Sequence, residues 1–173
     1  MERADFAQQA VIGTDEYAVV LAFADSLFGH LATAEATALI LEANQPGRSS
    51  ADVQSVFVDH ALALGFTSEA KGLFADSLSS ALRPDYYLPL GGTGILLEVE
   101  RGKTTINNMD LLDFWKCHIC VHAHYLILLV PTQLRQNPTM SPRNEFNSVR
   151  KRLSSFFDEQ NYTNVRGLFL FGY

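Results

Sequence analysis

The sequence predicts an α/β domain in which helices flank both faces of a central mixed β-sheet. Three observations carry that expectation. Tyr125-Leu126-Ile127-Leu128-Leu129-Val130 is a nearly continuous apolar run of strand length, ended by Pro131. A strand apolar on both faces belongs in the middle of a sheet that is covered on both sides. Several other stretches repeat their apolar residues at helical spacing. Between them, Arg83–Leu90 and the run from Gly94 form two short extended segments around Gly91-Gly92-Thr93-Gly94, a hairpin pattern. A hairpin supplies antiparallel pairing, and a strand, helix, strand order around Tyr125–Val130 supplies parallel pairing.

Along the chain, Thr14 caps a first helix with the stripe Tyr17, Val20, Leu21, Ala24, Leu27 and Phe28, ended by Gly29. A second runs from Thr33 to Asn44, with Ala36, Leu39, Ile40 and Ala43 on one face, and Gln45-Pro46-Gly47-Arg48 breaks the chain. Ser49 or Ser50 caps a third helix through Val53, Val56, Phe57, Ala61 and Leu64 to Gly65. His60 lies in its stripe and reads as a hydrogen-bonded core residue; Asp59 at the edge reads as a solvated acid. Lys71–Asp76 is expected to be a short strand. After the hairpin, Asn107 or Asn108 caps a helix over 109–123, with Leu111, Leu112, Trp115, Ile119 and His122 facing inward. Ser141-Pro142 opens the last helix, whose inner stripe is Phe146, Val149, Leu153, Phe156 and Phe157. Val165–Phe171 closes the chain as a strand.

With 173 residues the chain reads as one domain, 1–173, long enough to bury a core. An apolar share of 47% fits a globular protein, and no apolar run is long enough to span a bilayer, so no membrane partner is expected. The start Met1-Glu2-Arg3-Ala4-Asp5 lacks the basic and apolar regions of a signal peptide. With only two cysteines, the expected compartment is a reducing cytoplasm. The net charge of −6 argues against a broadly nucleic-acid-binding surface and leaves room only for a local basic face.

The chemistry concentrates in Ile95-Leu96-Leu97-Glu98-Val99-Glu100-Arg101-Gly102-Lys103. Side chains alternate along a strand, so Glu98 and Glu100 share a face, roughly 6.5–7 Å apart at Cα. Two carboxylates at the end of an apolar strand repel one another and lose hydration. A cation between them or an acid–base role resolves that conflict, as does a strand end that protrudes into water. The hairpin can bring Asp85 across from Glu98.

Pro84-Asp85, a hairpin, then Glu98-Val99-Glu100 resembles the PD-(D/E)XK nuclease superfamily, with Glu100 where lysine is usual. The order of elements is similar too: the resemblance covers roughly residues 50–130. It implies a restriction-endonuclease-like core over 49–131, a helical extension over 1–48, and a C-terminal helix and strand over 132–173. It further implies a Mg²⁺ (or Mn²⁺) ion held by Asp85, Glu98 and the Val99 carbonyl, with Glu100 as base. Lys103, beyond a bend at Gly102, would take the lysine role, with Lys116 as second candidate. The implied activity is metal-dependent DNA cleavage by an endonuclease that dimerises to cut both strands. The alternative is a nuclease-fold protein that no longer cleaves and serves as a binding or structural subunit. Arg143, Arg150, Lys151 and Arg152 form the outer face of the last helix and are the expected phosphate contacts. Cys117-His118-Ile119-Cys120-Val121-His122-Ala123-His124 contains zinc-ligand residue types, but the mid-helix spacing favours buried free thiols.

Overall fold

The structure is a computed structural model that describes residues 1–69, 71–75, 80–102, 104–135, 139 and 141–173. Its centre is a six-stranded mixed sheet in the order β1-β6-β5-β4-β3-β2. These strands are β1 (Glu2–Ala7), β2 (Thr67–Ser68), β3 (Tyr86–Leu90), β4 (Thr93–Val99), β5 (Tyr125–Val130) and β6 (Gly167–Gly172). β5 lies between parallel neighbours β4 and β6, and all six of its residues are buried, as a run apolar on both faces requires.

Among the described residues, four helices precede the hairpin: α1 (Asp15–Leu31), α2 (Ala34–Ala43), α3 (Ser50–Gln54) and α4 (Val58–Ala63). Thr14 and Thr33 cap the first two by accepting from Tyr17 N and Ala36 N. Together the four cover Ile95, Leu97, Val99, Ile127, Leu129, Phe169 and Phe171 on one sheet face. On the other face, Leu96, Leu126, Leu128, Leu168 and Leu170 pack beneath α5 (Met109–Ile119) and α6 (Glu145–Ser154). No single helix among the described residues is long and apolar enough to cross a membrane. α1 and α2 pass that test only as a pair, bent by 76°.

Several elements depart from expectation. The N-terminal extension begins not with helix but with β1, antiparallel to β6 along the sheet edge. Its charges suit an edge strand. Arg3 pairs with Asp5 and Asp25 and lies over the rings of Phe28, Phe169 and Phe171. The third helix is two pieces, because Val56 N and Phe57 N bond three residues back, to Val53 O and Gln54 O, tightening the chain where Phe57 enters the core. Residues 71–75 form turns rather than a strand; the edge of the sheet is instead β2, which pairs with β3. α5 stops at Ile119, where Cys120 turns extended (ψ 125). α6 is capped by Asn144, not Ser141, because Arg143 is held extended by paired backbone bonds to Leu134.

The hairpin that positions the acids turns through Gly91 (φ 63) and Gly92. Gly94 is required by space: a Cβ there would lie 2.6 Å from the Tyr87 ring and 2.8 Å from the carbonyls of Leu88 and His122. This close fit fixes the register Tyr86↔Leu97, which sets Asp85 opposite Glu98.

Candidate functional site

The sequence-predicted acids do meet. Asp85 N–H donates to Glu98 Oε2 at 3.2 Å, and Val99 N–H donates to Asp85 Oδ2 at 2.9 Å. Strand alternation turns Glu98 and Glu100 toward the α5 layer, away from α1–α4. Glu98 is only 3% exposed, so the strand end does not protrude into water.

From above, α5 lowers two charged residues onto these acids. Lys116 Nζ lies 2.7 Å from Glu98 Oε1 and 2.8 Å from Asp113 Oδ1. Asp113 is 1% exposed and lies near enough to Glu100 that its charge favours the proton on Glu100. Satisfaction is incomplete: Glu98 Oε1 is in ion-pair range of the ammonium but out of line for a hydrogen bond, and Asp113 Oδ2 has no hydrogen-bond partner. Among the described residues no group of three or more His, Cys, Asp or Glu is arranged around an open metal position.

Electrostatics follow from burial. Burial pushes Glu98 up to about 8, helped by Asp113 and Asp85 and opposed by Lys116. It pushes Glu100 up to about 9, helped by the charge of Asp113. Asp85 and Asp113 are also raised, first by burial, with Lys116 opposing in both cases. Burial pulls Lys116 down, but Asp113 and Glu98 outweigh it and the ammonium stays charged. Among the described residues, the ammonium that acts on Asp85, Glu98, Glu100 and Asp113 is that of Lys116, in ion-pair contact with Glu98 and Asp113, and burial disfavours ionising all four acids at once. The cluster titrates as a unit and retains protons at neutral pH. Glu100, expected as a base, is in this state the proton carrier.

Three further contacts fix the loop that leaves β4. The Arg101 guanidinium donates to the carbonyls of Gln45 and Arg48, tying the strand end to the segment after α2. Glu145, 1% exposed, accepts from Thr105 N at 3.1 Å and Thr105 Oγ1 at 2.6 Å. Tyr173 Oη donates to the Glu100 carbonyl at 2.7 Å.

The other expected residues are placed as follows. Lys103 lies outside the described residues. Lys116, the second candidate for the lysine role, is in the cluster. Asp59 is exposed on α4, on the opposite side of the sheet from the acids. His60 stacks on His30 at 4.4 Å and bonds Ser26 Oγ. Of the basic face, Arg150 and Lys151 are exposed on α6. Arg143 is engaged by Glu145 and Thr105, and Arg152 by Asp110 and Asn108. Cys117 and Cys120 are free, buried thiols. Trp115 and Leu112, expected inward, are partly exposed, because the inner face of α5 carries Asp110, Asp113, Phe114 and Cys117.

Asp113 was not anticipated from sequence. Its signal is nevertheless present: Asp110, Asp113 and Lys116 recur every three residues among the apolar positions of one helix.

No protein-family model matches the chain, and no curated protein matches it. Among solved structures it is similar to the restriction endonuclease BglII, crystallised with a DNA 16-mer. The TM-score is 0.53 at 12% identity, over 98% of this chain and 75% of that one. At that identity the likeness is one of fold, and the fold is the restriction-endonuclease-like α/β sheet flanked by helices.

Proposed function

We propose that the protein is a divalent-metal-dependent phosphodiesterase, a DNA endonuclease of restriction-endonuclease-like type. The observation that carries this reading is the convergence of Asp85, Glu98, Glu100, Asp113 and Lys116 at the end of β4. The fold is similar to that of an endonuclease crystallised with DNA. The donor chemistry fits a hard cation. The acids supply only oxygen, and two of those buried oxygens, Glu98 Oε1 and Asp113 Oδ2, lack a hydrogen-bond donor. Asp85, Glu98 and the Val99 carbonyl would hold Mg²⁺ or Mn²⁺. When bound, such an ion polarises a phosphate oxygen and lowers the pKa of an attacking water.

The chain's own residues would do the rest. Lys116, charged and buried, would balance negative charge that develops on the phosphate. Asp113 orients that ammonium from the preceding helical turn. Glu100 holds a proton against Asp113 and exchanges it once the local charge balance changes. Arg150 and Lys151 would contact the DNA backbone. Cutting both strands with so small a domain calls for a second copy.

One observation favours the alternative of a non-cleaving binding subunit: Glu98 is already engaged by an internal ammonium. The test is cleavage of supercoiled plasmid and linear duplex with Mg²⁺, with Mn²⁺ and with a chelator. The proposal expects cutting with metal only, lost in Asp85→Asn. Metal-independent binding without cutting, in every substrate, would establish the alternative.

A further inference from the structure

We propose that Lys116 is a resident cation of the carboxylate cluster, which a divalent ion must displace from Glu98 before the site can act. This rests on the metal-dependent reading above. Lys116 Nζ touches Glu98 and Asp113 at 2.7 and 2.8 Å, so it stands beside a carboxylate expected to ligate the metal. The two contacts are not equivalent. Asp113 is three residues away on the same helix and moves with Lys116, whereas Glu98 belongs to β4. An ion arriving at Glu98 therefore breaks the cross-element contact and leaves the ammonium tethered to Asp113. The unbranched four-carbon stem of lysine allows that shift by rotamer change, without movement of the helix. The unsatisfied oxygens of Glu98 and Asp113 mark the imperfection of the internal pairing. One ammonium neutralises one charge, and a divalent ion would complete what it leaves undone. Exchange of this kind delivers a positive charge to the reaction centre only when metal is present, which couples assembly of the site to the cofactor.

The test is calorimetric Mn²⁺ binding to the chelator-stripped full chain at fixed pH and ionic strength. Wild type is compared with Lys116→Met, Lys116→Arg and Asp85→Asn. Displacement predicts at least about tenfold tighter Mn²⁺ binding in Lys116→Met, because the competitor is gone. It predicts weaker binding in Lys116→Arg, whose bidentate guanidinium leaves a carboxylate less readily. Equal or weaker binding in Lys116→Met, beside measurable wild-type binding, overturns the displacement and leaves the metal-dependent reading standing. Absence of binding in wild type and every variant fails that reading itself. Should Lys116→Met fold only when Mn²⁺ is present, the ion has replaced the ammonium, as proposed. Should it not fold at all, Lys116→Arg decides, and unchanged or tighter affinity there overturns the proposal.

Discussion

Glu100→Gln should stabilise the metal-free protein at neutral pH, an unusual result for a buried polar residue. The fold holds the Glu100 carboxyl in its protonated form, pushed from 4.5 to about 9 by burial and by Asp113. A carboxyl raised in this way has its full stabilising effect below the unfolded value, and stability falls as pH rises from there toward the folded one. Over the ~2.5 pH units between 4.5 and 7, at ~1.36 kcal/mol per unit, the wild type loses up to ~3.4 kcal/mol from this group. Because Glu98 and Asp113 share the cluster's protons, a net gain on the order of 2 kcal/mol is expected for the variant at pH 7. Glutamine keeps the shape, and its amide supplies an N–H donor in place of the acid's O–H. Near pH 5 the difference should shrink below about 1 kcal/mol, since wild-type Glu100 then sits close to its unfolded state. Urea denaturation with a chelator, for both proteins at pH 5, 7 and 8, gives the comparison. Groups such as His60 and His124, whose lowered values act in the opposite direction below about pH 6.5, are common to both proteins and cancel. A variant less stable than wild type at pH 7, or a difference independent of pH, would refute the account of the cluster.

Other outcomes are open to simple measurement. Gly94→Ala should lower unfolding free energy by about 2–3 kcal/mol, because two of the three atoms its methyl would strike are backbone carbonyl oxygens. Arg150→Ala combined with Lys151→Ala should flatten the salt dependence of DNA binding by about one to two units of slope. An unchanged slope would turn α6 away from the substrate. The Cys117 thiol, fully buried and raised first by burial, should react with a disulfide reagent only as fast as the protein unfolds. Rapid labelling in native buffer would place it elsewhere.

Much of this architecture is legible in the residues. The strand Tyr125–Val130 could be read to the residue because an uninterrupted apolar run leaves one place in a sheet. The meeting of Asp85 with Glu98 was legible because the glycine turn fixes a hairpin register. What escaped did so for physical reasons. β1 has too few apolar residues to be read as a strand, since an edge strand needs only one good neighbour and Arg3 is held by ring faces and acids. The inward side of α5 was misassigned because periodicity assumes that the buried face is apolar, and here it carries Asp110, Asp113 and Lys116. Two of those charges, Asp113 and Lys116, belong to the candidate site. Glu145, which pins Thr105 across 40 positions of sequence, left no local signal at all.

The most direct measurement is the anomalous signal from a crystal soaked in millimolar Mn²⁺. The account predicts a single strong peak at the end of β4, bound by the carboxylates of Asp85 and Glu98 and absent in Asp85→Asn. No peak at that strand end in well-ordered wild-type crystals, with Lys116 still paired to Glu98, would contradict it.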